Sequence, residues 1–173
     1  MYFPRIFTLL LLAVLGLQVA CSYKANQEFY AKEGVSITPA PSWVFSKDNK
    51  DSFFGEREII FKLGDLSFAG FYINSNNVDF KDFVDAFTRK TLPQLNESNA
   101  RVHKEIFAVN NYQGLRYTII SHFLGEEKTY FYAVEIPCGD KKIFSMSLLV
   151  GEGSIKTENN LKGAIQTLRC SFQ

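Results

Sequence analysis

A chain of 173 residues that is 46% hydrophobic, with 17 Phe and 8 Tyr, is long enough for one ordinary domain with a substantial core. Its 19 basic and 18 acidic residues leave a formal net charge of +1, without the basic excess of a nucleic-acid surface or the long acidic run of a solvating tail. No internal repeat and no low-complexity segment interrupts it.

The chain opens with Arg5, followed by an uncharged apolar run from Ile6 to Ala20 rich in leucine. A short basic start, an apolar centre and a small residue before the cut make an export signal. The run falls short of the ~20 residues of a spanning helix, and Gln18 interrupts it. The order Leu17-Gln18-Val19-Ala20-Cys21-Ser22 resembles the bacterial lipoprotein signal. That resemblance implies removal of residues 1–20, attachment of a diacylglyceryl group to Cys21, and tethering to an envelope membrane by acyl chains. Gln18 stands where that pattern usually has Leu, and plain secretory cleavage after Ala20 is the alternative. Ser22 after the cysteine favours the outer membrane, again by resemblance to sorting signals.

The chain has 3 cysteines, Cys21, Cys138 and Cys170. With Cys21 acylated, the other two remain as a pair in an oxidising compartment, and a disulfide is expected. Two buried free thiols are the alternative.

Residues 21–33 are polar and read as a tether. Val35 to Thr38 alternates and predicts a strand, Pro39 and Pro41 punctuate it, and Trp43-Val44-Phe45 starts another. Ser46 to Ser52 reads as a charged loop. Arg57 to Leu63 and Leu66 to Asn74 follow as strands around Gly64-Asp65, the second apolar on both faces and so central. Phe80, Phe83, Val84 and Phe87 then recur at helical spacing, with Asn77 or Asp79 as cap, Arg89 and Lys90 in the last turn and Pro93 as stop. Strands are predicted over Arg101 to Val109, Leu115 to Leu124, Lys128 to Ile136 and Lys141 to Val150, joined by short polar turns and therefore antiparallel. A second helix runs from about Ile155 to Leu168, and Arg169 to Phe172 closes with a short edge strand. The pattern is α+β, one antiparallel sheet with helices packed on it.

Four segments resemble the PsbP/DcrB-like bacterial lipoprotein group: Gly34 to Ile37 with the prolines and Trp43, the helix Asp79 to Leu92, the run Tyr112-Gln113-Gly114-Leu115-Arg116-Tyr117, and the final meander and helix. The resemblance spans most of residues 34–172 and implies a single domain over 34–173, an α/β/α sandwich around a central antiparallel sheet. It also implies a binding or assembly protein rather than an enzyme, and it carries no catalytic motif, cofactor or metal with it.

The residues themselves offer few alternatives. His103 and His122 face each other across a hairpin if Val109 pairs with Arg116; a one-residue shift puts His103 opposite Ser121. Two imidazoles fall short of the four ligands a structural metal site needs. Asp48-Asn49-Lys50-Asp51 lacks calcium-loop spacing. Gly151-Glu152-Gly153-Ser154 has no lysine in the phosphate-binding place, and no serine sits in a nucleophile elbow. Asn96-Glu97-Ser98 fits a glycosylation triplet, common by chance. The aromatic surplus is more suggestive. Tyr130, Phe131 and Tyr132, with Phe53 and Phe54, place rings on both faces of their strands, as packing in a covered sheet or as a groove for a peptide or apolar ligand.

These features lead us to expect a non-enzymatic envelope lipoprotein that presents a binding domain at a membrane surface, with a protein partner and no nucleic acid. An immunity protein that meets a toxin through Ser46–Ser52 or Ser75–Asn77 is the alternative. A small periplasmic enzyme or metal carrier using His103 and His122 is the contrasting class.

Overall fold

Alternating apolar and polar residues put most of this chain into strands, and the strands into one large sheet. The computed structural model describes residues 29–64, 66–92, 100–121, 127–150 and 154–172. Residues 1–28, which hold the expected signal segment, Cys21 and the first part of the expected tether, lie outside them, as do Asp65, the Asn96 triplet, His122 and Gly151 to Gly153.

Seven strands, β3 (Val44–Ser52), β4 (Gly55–Lys62), β5 (Phe68–Ser75), β6 (Arg101–Val109), β7 (Tyr112–Ser121), β8 (Glu127–Cys138) and β9 (Lys141–Val150), form one sheet in the order β3-β4-β5-β9-β8-β7-β6. Every neighbouring pair is antiparallel. The chain builds one half as a meander, crosses through helix α1 (Phe80–Thr91) to the far edge, and returns as a second meander that ends beside the first. A three-stranded sheet of β1 (Tyr30–Lys32), β2 (Val35–Ile37) and β10 (Arg169–Cys170) brings the two ends of the domain together, with β2 in the middle. Helix α2 (Ser154–Thr167) precedes β10.

The large sheet is covered on both faces, so it has two cores. Against one face lies α1, with Phe83, Val84 and Phe87 buried among Tyr72, Tyr117, Phe131, Phe144 and Met146. Ring centroids of Phe83 and Phe144 are 4.7 Å apart, and those of Phe87 and Phe131 are 5.8 Å apart. Asp79 caps this helix by accepting a hydrogen bond from the Asp82 N–H at 2.9 Å. Arg89 and Lys90 meet the negative end of its dipole. Against the other face, Leu161, Ala164, Ile165 and Leu168 pack with Val35 and Ile37 of the small sheet on Phe71, Val134 and Ile136. β5 and β9, the third and fourth strands in the order, separate the two cores and are buried through nearly their whole length. This is the α+β sandwich the sequence predicts.

Cys138 and Cys170 form a disulfide, with Cα atoms 5.7 Å apart and a sequence separation of 32. It joins the end of β8 in the large sheet to β10 in the small one.

Three expectations need correction. Ser46 to Ser52 is no loop; it belongs to the edge strand β3 and pairs with β4. An edge strand whose side chains mostly face water has little reason to alternate, and β3 exposes Lys47, Asn49, Lys50 and Asp51 while Asp48 alone among its charges turns inward. The tether also ends early, because Tyr30–Lys32 is a strand paired with β2. The β6–β7 turn, read as Asn110 to Gly114, contains only Asn110 and Asn111, since Val109 pairs with Tyr112. Asn110 takes φ 53°, the sign that two-residue hairpin turns favour. Gly114 lies inside β7, where a Cβ would stand 2.2 Å from the Ala133 carbonyl oxygen.

Candidate interaction surface

Consecutive positions on a strand point to opposite faces, and β8 shows this for its aromatic run. Phe131 is fully buried on the α1 side, 5.6 Å from the Tyr117 ring. Tyr132 is fully buried on the α2 side, 4.9 Å from the Phe107 ring. Neither can line a groove; both are core, because helices cover both faces of this strand. Tyr130 is half-buried and keeps part of its ring at the surface. Its neighbour across β7 is Thr118, and beyond Thr118 on the edge strand stands the exposed His103. What survives of the aromatic groove is this strip of Tyr130, Thr118 and His103. The second aromatic pair divides likewise. Phe54 tucks under α1, 4.8 Å from Phe87, while Phe53 is exposed, with the Lys90 ammonium 3.1 Å from its centroid.

One row along from that strip lies a charged network that fixes α2 to the sheet. Arg116 donates to Glu105 at 2.7 Å and to Glu158 of α2 at 2.8 Å. Tyr132 donates its hydroxyl to Glu158 at 3.2 Å, and Lys162 reaches the same carboxylate at 2.7 Å. Burial pushes the Tyr132 phenol up, and the adjacent Glu158 carboxylate adds to it. Burial alone would raise Glu158, but Lys162 and Arg116 outweigh it and hold the carboxyl below its usual range. Desolvation would lower Arg116, yet Glu105 and Glu158 keep it firmly protonated. Tyr132, Glu158 and Arg116 are all driven away from neutral pH, which suits a fixed electrostatic clamp rather than proton transfer.

A second network, absent from the sequence-level candidates, fastens β1 to the large sheet. Arg57 grips Asp48 with two parallel bonds, Nε to Oδ1 at 2.8 Å and Nη2 to Oδ2 at 3.0 Å. Its remaining donors reach the Tyr30 hydroxyl at 2.6 Å and the carbonyls of Lys32 and Glu33 at 3.2 and 3.3 Å. Tyr30 and Lys32 each donate to Asp48 at 2.9 Å. The Arg57 and Asp48 side chains are each 7% exposed. Hydrogen bonding from Arg57 holds the Asp48 carboxyl far below the usual range, and burial with the Asp48 contact drives the Tyr30 phenol up. The signal for this network was present in the chain: Arg57 shares strand parity with the buried Ile59 and Phe61, so its guanidinium had to be satisfied inside.

The remaining candidates separate. His103 pairs with Thr118, neither with His122 nor with Ser121, because the two-residue turn moves the register. Among the described residues no group of three or more His, Cys, Asp or Glu could hold a metal ion. Ser75–Asn77 is closed on itself by a hydrogen bond from the Ser75 hydroxyl to Asn77, and Asn76 is tied to the Gly139 carbonyl at 3.2 Å. An open cleft of about 390 Å³ runs between Ala31 to Ser36 and Arg169 to Ser171 of the small sheet. A smaller one of about 230 Å³ is lined by Glu33, Lys50, Glu56, Arg57 and Lys141, whose charges are paired with one another or with Asp48.

No family model and no curated protein matches the sequence. Solved structures do resemble the fold. The solution structure of cyanobacterial PsbP (CyanoP) from Synechocystis sp. PCC 6803 aligns with a TM-score of 0.50 and 11% identity, over 87% of this chain and 97% of that one. A protein from Bacteroides thetaiotaomicron aligns with a TM-score of 0.46 and 13% identity over 84% of this chain; the present chain spans 48% of its length. The Saccharomyces cerevisiae Ran-binding protein Mog1p aligns with a TM-score of 0.45 and 8% identity, over 85% of this chain and 97% of that one. At such identities the likeness is one of architecture, and the architecture is PsbP-like.

Proposed function

We propose that this protein is a bacterial envelope lipoprotein, anchored through acyl chains on Cys21, whose domain binds a protein or ligand and catalyses no reaction. One observation carries the reading: the first strand, Tyr30–Lys32, lies close in sequence after Cys21 and is bolted to the large sheet by Arg57 and Asp48. A domain held in that way transmits a fixed position to whatever is attached at its N-terminus. The buried ionisable side chains form structural clamps, and the partly exposed row of Tyr130, Thr118 and His103 is the surface offered to a partner. Ser22 after the cysteine supports an outer-membrane address.

Two measurements test the two halves of this reading. Wild-type protein should fractionate with membranes and carry the mass of an acylated Cys21, while Cys21→Ala should appear in the soluble envelope fraction. Unchanged location and processing of that variant would remove the anchor from the reading. Tyr130→Glu should fold with an unchanged far-ultraviolet spectrum and lose the partner that wild type captures from envelope extracts. Equal capture by both would remove the strip.

A further inference from the structure

Of the seven large hydrophobic side chains exposed among the described residues, four, Phe29, Val44, Phe45 and Leu66, gather at one corner. Val44 pairs with Lys62 and Phe45 with Phe61, so the start of β3 lies at the same end of the sheet as the β4–β5 turn that holds Leu66. The Leu63 N–H donates to the Ser67 carbonyl at 2.9 Å and closes that turn. Tyr30 stacks on Phe45 at 5.7 Å and meets Phe61 edge-on at 6.2 Å, while the Lys32 and Glu33 carbonyls reach Arg57 at the other end of β4. β1 therefore runs away from this corner, and Phe29 lies at it. Lone exposed apolar residues are ordinary, but four grouped at the point where the chain enters the domain make a patch.

We infer that this corner is a membrane-contact face, laid against the bilayer in which the acyl chains of Cys21 sit. The contact rests on the acylation proposed above. Seven residues of chain, 22 to 28, separate Cys21 from Phe29. The eight Cα-to-Cα steps can reach at most about 28 Å. A domain of this size is roughly 40 Å across. The leash is shorter than the domain is wide, so the end that bears Phe29 is held toward the lipid and the opposite end is kept from it. Apolar side chains that would otherwise invite association are thereby given a solvent of their own kind, and a few buried side chains add the second attachment that acyl chains alone benefit from. Lys62, exposed beside Val44, can lay its stem along the interface with its ammonium among the headgroups. The contact is apolar in character and is expected to persist at high salt.

Phe53 supplies an internal control. It is 77% exposed against 71% for Leu66, yet it lies in the β3–β4 turn at the opposite end of the same strands. Full-length acylated protein carrying either Leu66→Cys or Phe53→Cys is labelled with a polarity-sensitive fluorophore and incorporated into phosphatidylcholine vesicles, and its intact mass is taken. The label at position 66 should brighten roughly twofold on leaving water for the interface. It should be quenched by nitroxide-bearing lipid and keep its signal in 1 M salt, as an apolar contact screened by no ion should. The label at position 53 should stay as in water. With the acylated mass present, no change at position 66, or equal change at both positions, overturns the contact and leaves the anchor standing. A change at position 66 that appears in detergent micelles and grows with protein concentration assigns the corner to a second copy of this chain and overturns it as well. A mass without acyl chains removes anchor and contact together.

Discussion

Asp48 shows how much of this domain depends on single charged side chains. It accepts hydrogen bonds from Arg57, Tyr30 and Lys32 in a place where it and Arg57 are nearly out of water. Removing one member of such a pair leaves the other charge buried and alone, which costs about 3–5 kcal/mol. Asp48→Ala should lose stability on that scale in urea denaturation, whereas Lys50→Ala, whose partner Glu33 is itself well exposed, should fall within about 0.5 kcal/mol of wild type. The pH dependence has a definite sign. Because the folded carboxyl is held below its ordinary value near 3.9, its contribution is complete above that value and is lost as pH falls through it toward the folded pKa. Wild type should therefore weaken more steeply than Asp48→Asn between about pH 4 and pH 2, and parallel acid profiles for the two would show that this carboxylate is not the linked group.

At the level of elements, legibility followed burial. β9 has the limits the alternation predicts, and α1 differs from its predicted span only by the cap residue at each end, because each presents an apolar face to a core; β6 also has its predicted limits, although only Phe107 and Val109 of it are buried. β3 was hidden, since a strand whose side chains mostly face water is written in the same residues as a loop. Gly114 drew the β6–β7 turn toward itself, yet its lack of a side chain answers to the close backbone of β8 and not to a bend. That misplacement carried the histidine register with it. The candidate site suffered for a different reason. Tyr130, Phe131 and Tyr132 look alike in sequence, and only the two helices decide that one ring keeps access to water while its neighbours have none. The Arg57 clamp draws on β1, β3 and β4, and no local pattern announces a contact between Tyr30 and a strand that composition disguises as loop.

The whole molecule is two cores on one sheet, with a small second sheet that gathers both ends of the domain. The bond between Cys138 and Cys170 is the covalent link between the two sheets. Closing a loop of that length is worth about 3–4 kcal/mol in the chain-entropy account, so the double variant Cys138→Ser with Cys170→Ser should lose that much, measured with and without reductant. Its stability should no longer respond to reductant, and unreduced wild type should show no reactive thiol at either position. Thiols that label in the folded, unreduced protein would contradict the bond. The clamp on β1 has a mechanical corollary. If a partner pulls on the domain while its N-terminus is held, tension enters at Phe29 and meets Tyr30 first, because that residue begins the strand. β1 itself is three residues long and would peel from β2 one rung at a time under little force. The side-chain bonds from Tyr30 to Asp48 and Arg57 stand ahead of that peeling and bridge to the large sheet, so the strain bypasses the weak ladder. Under traction the yield point of this protein is a tyrosine hydroxyl and its two partners, and the cores behind them stay unloaded until those bonds give way.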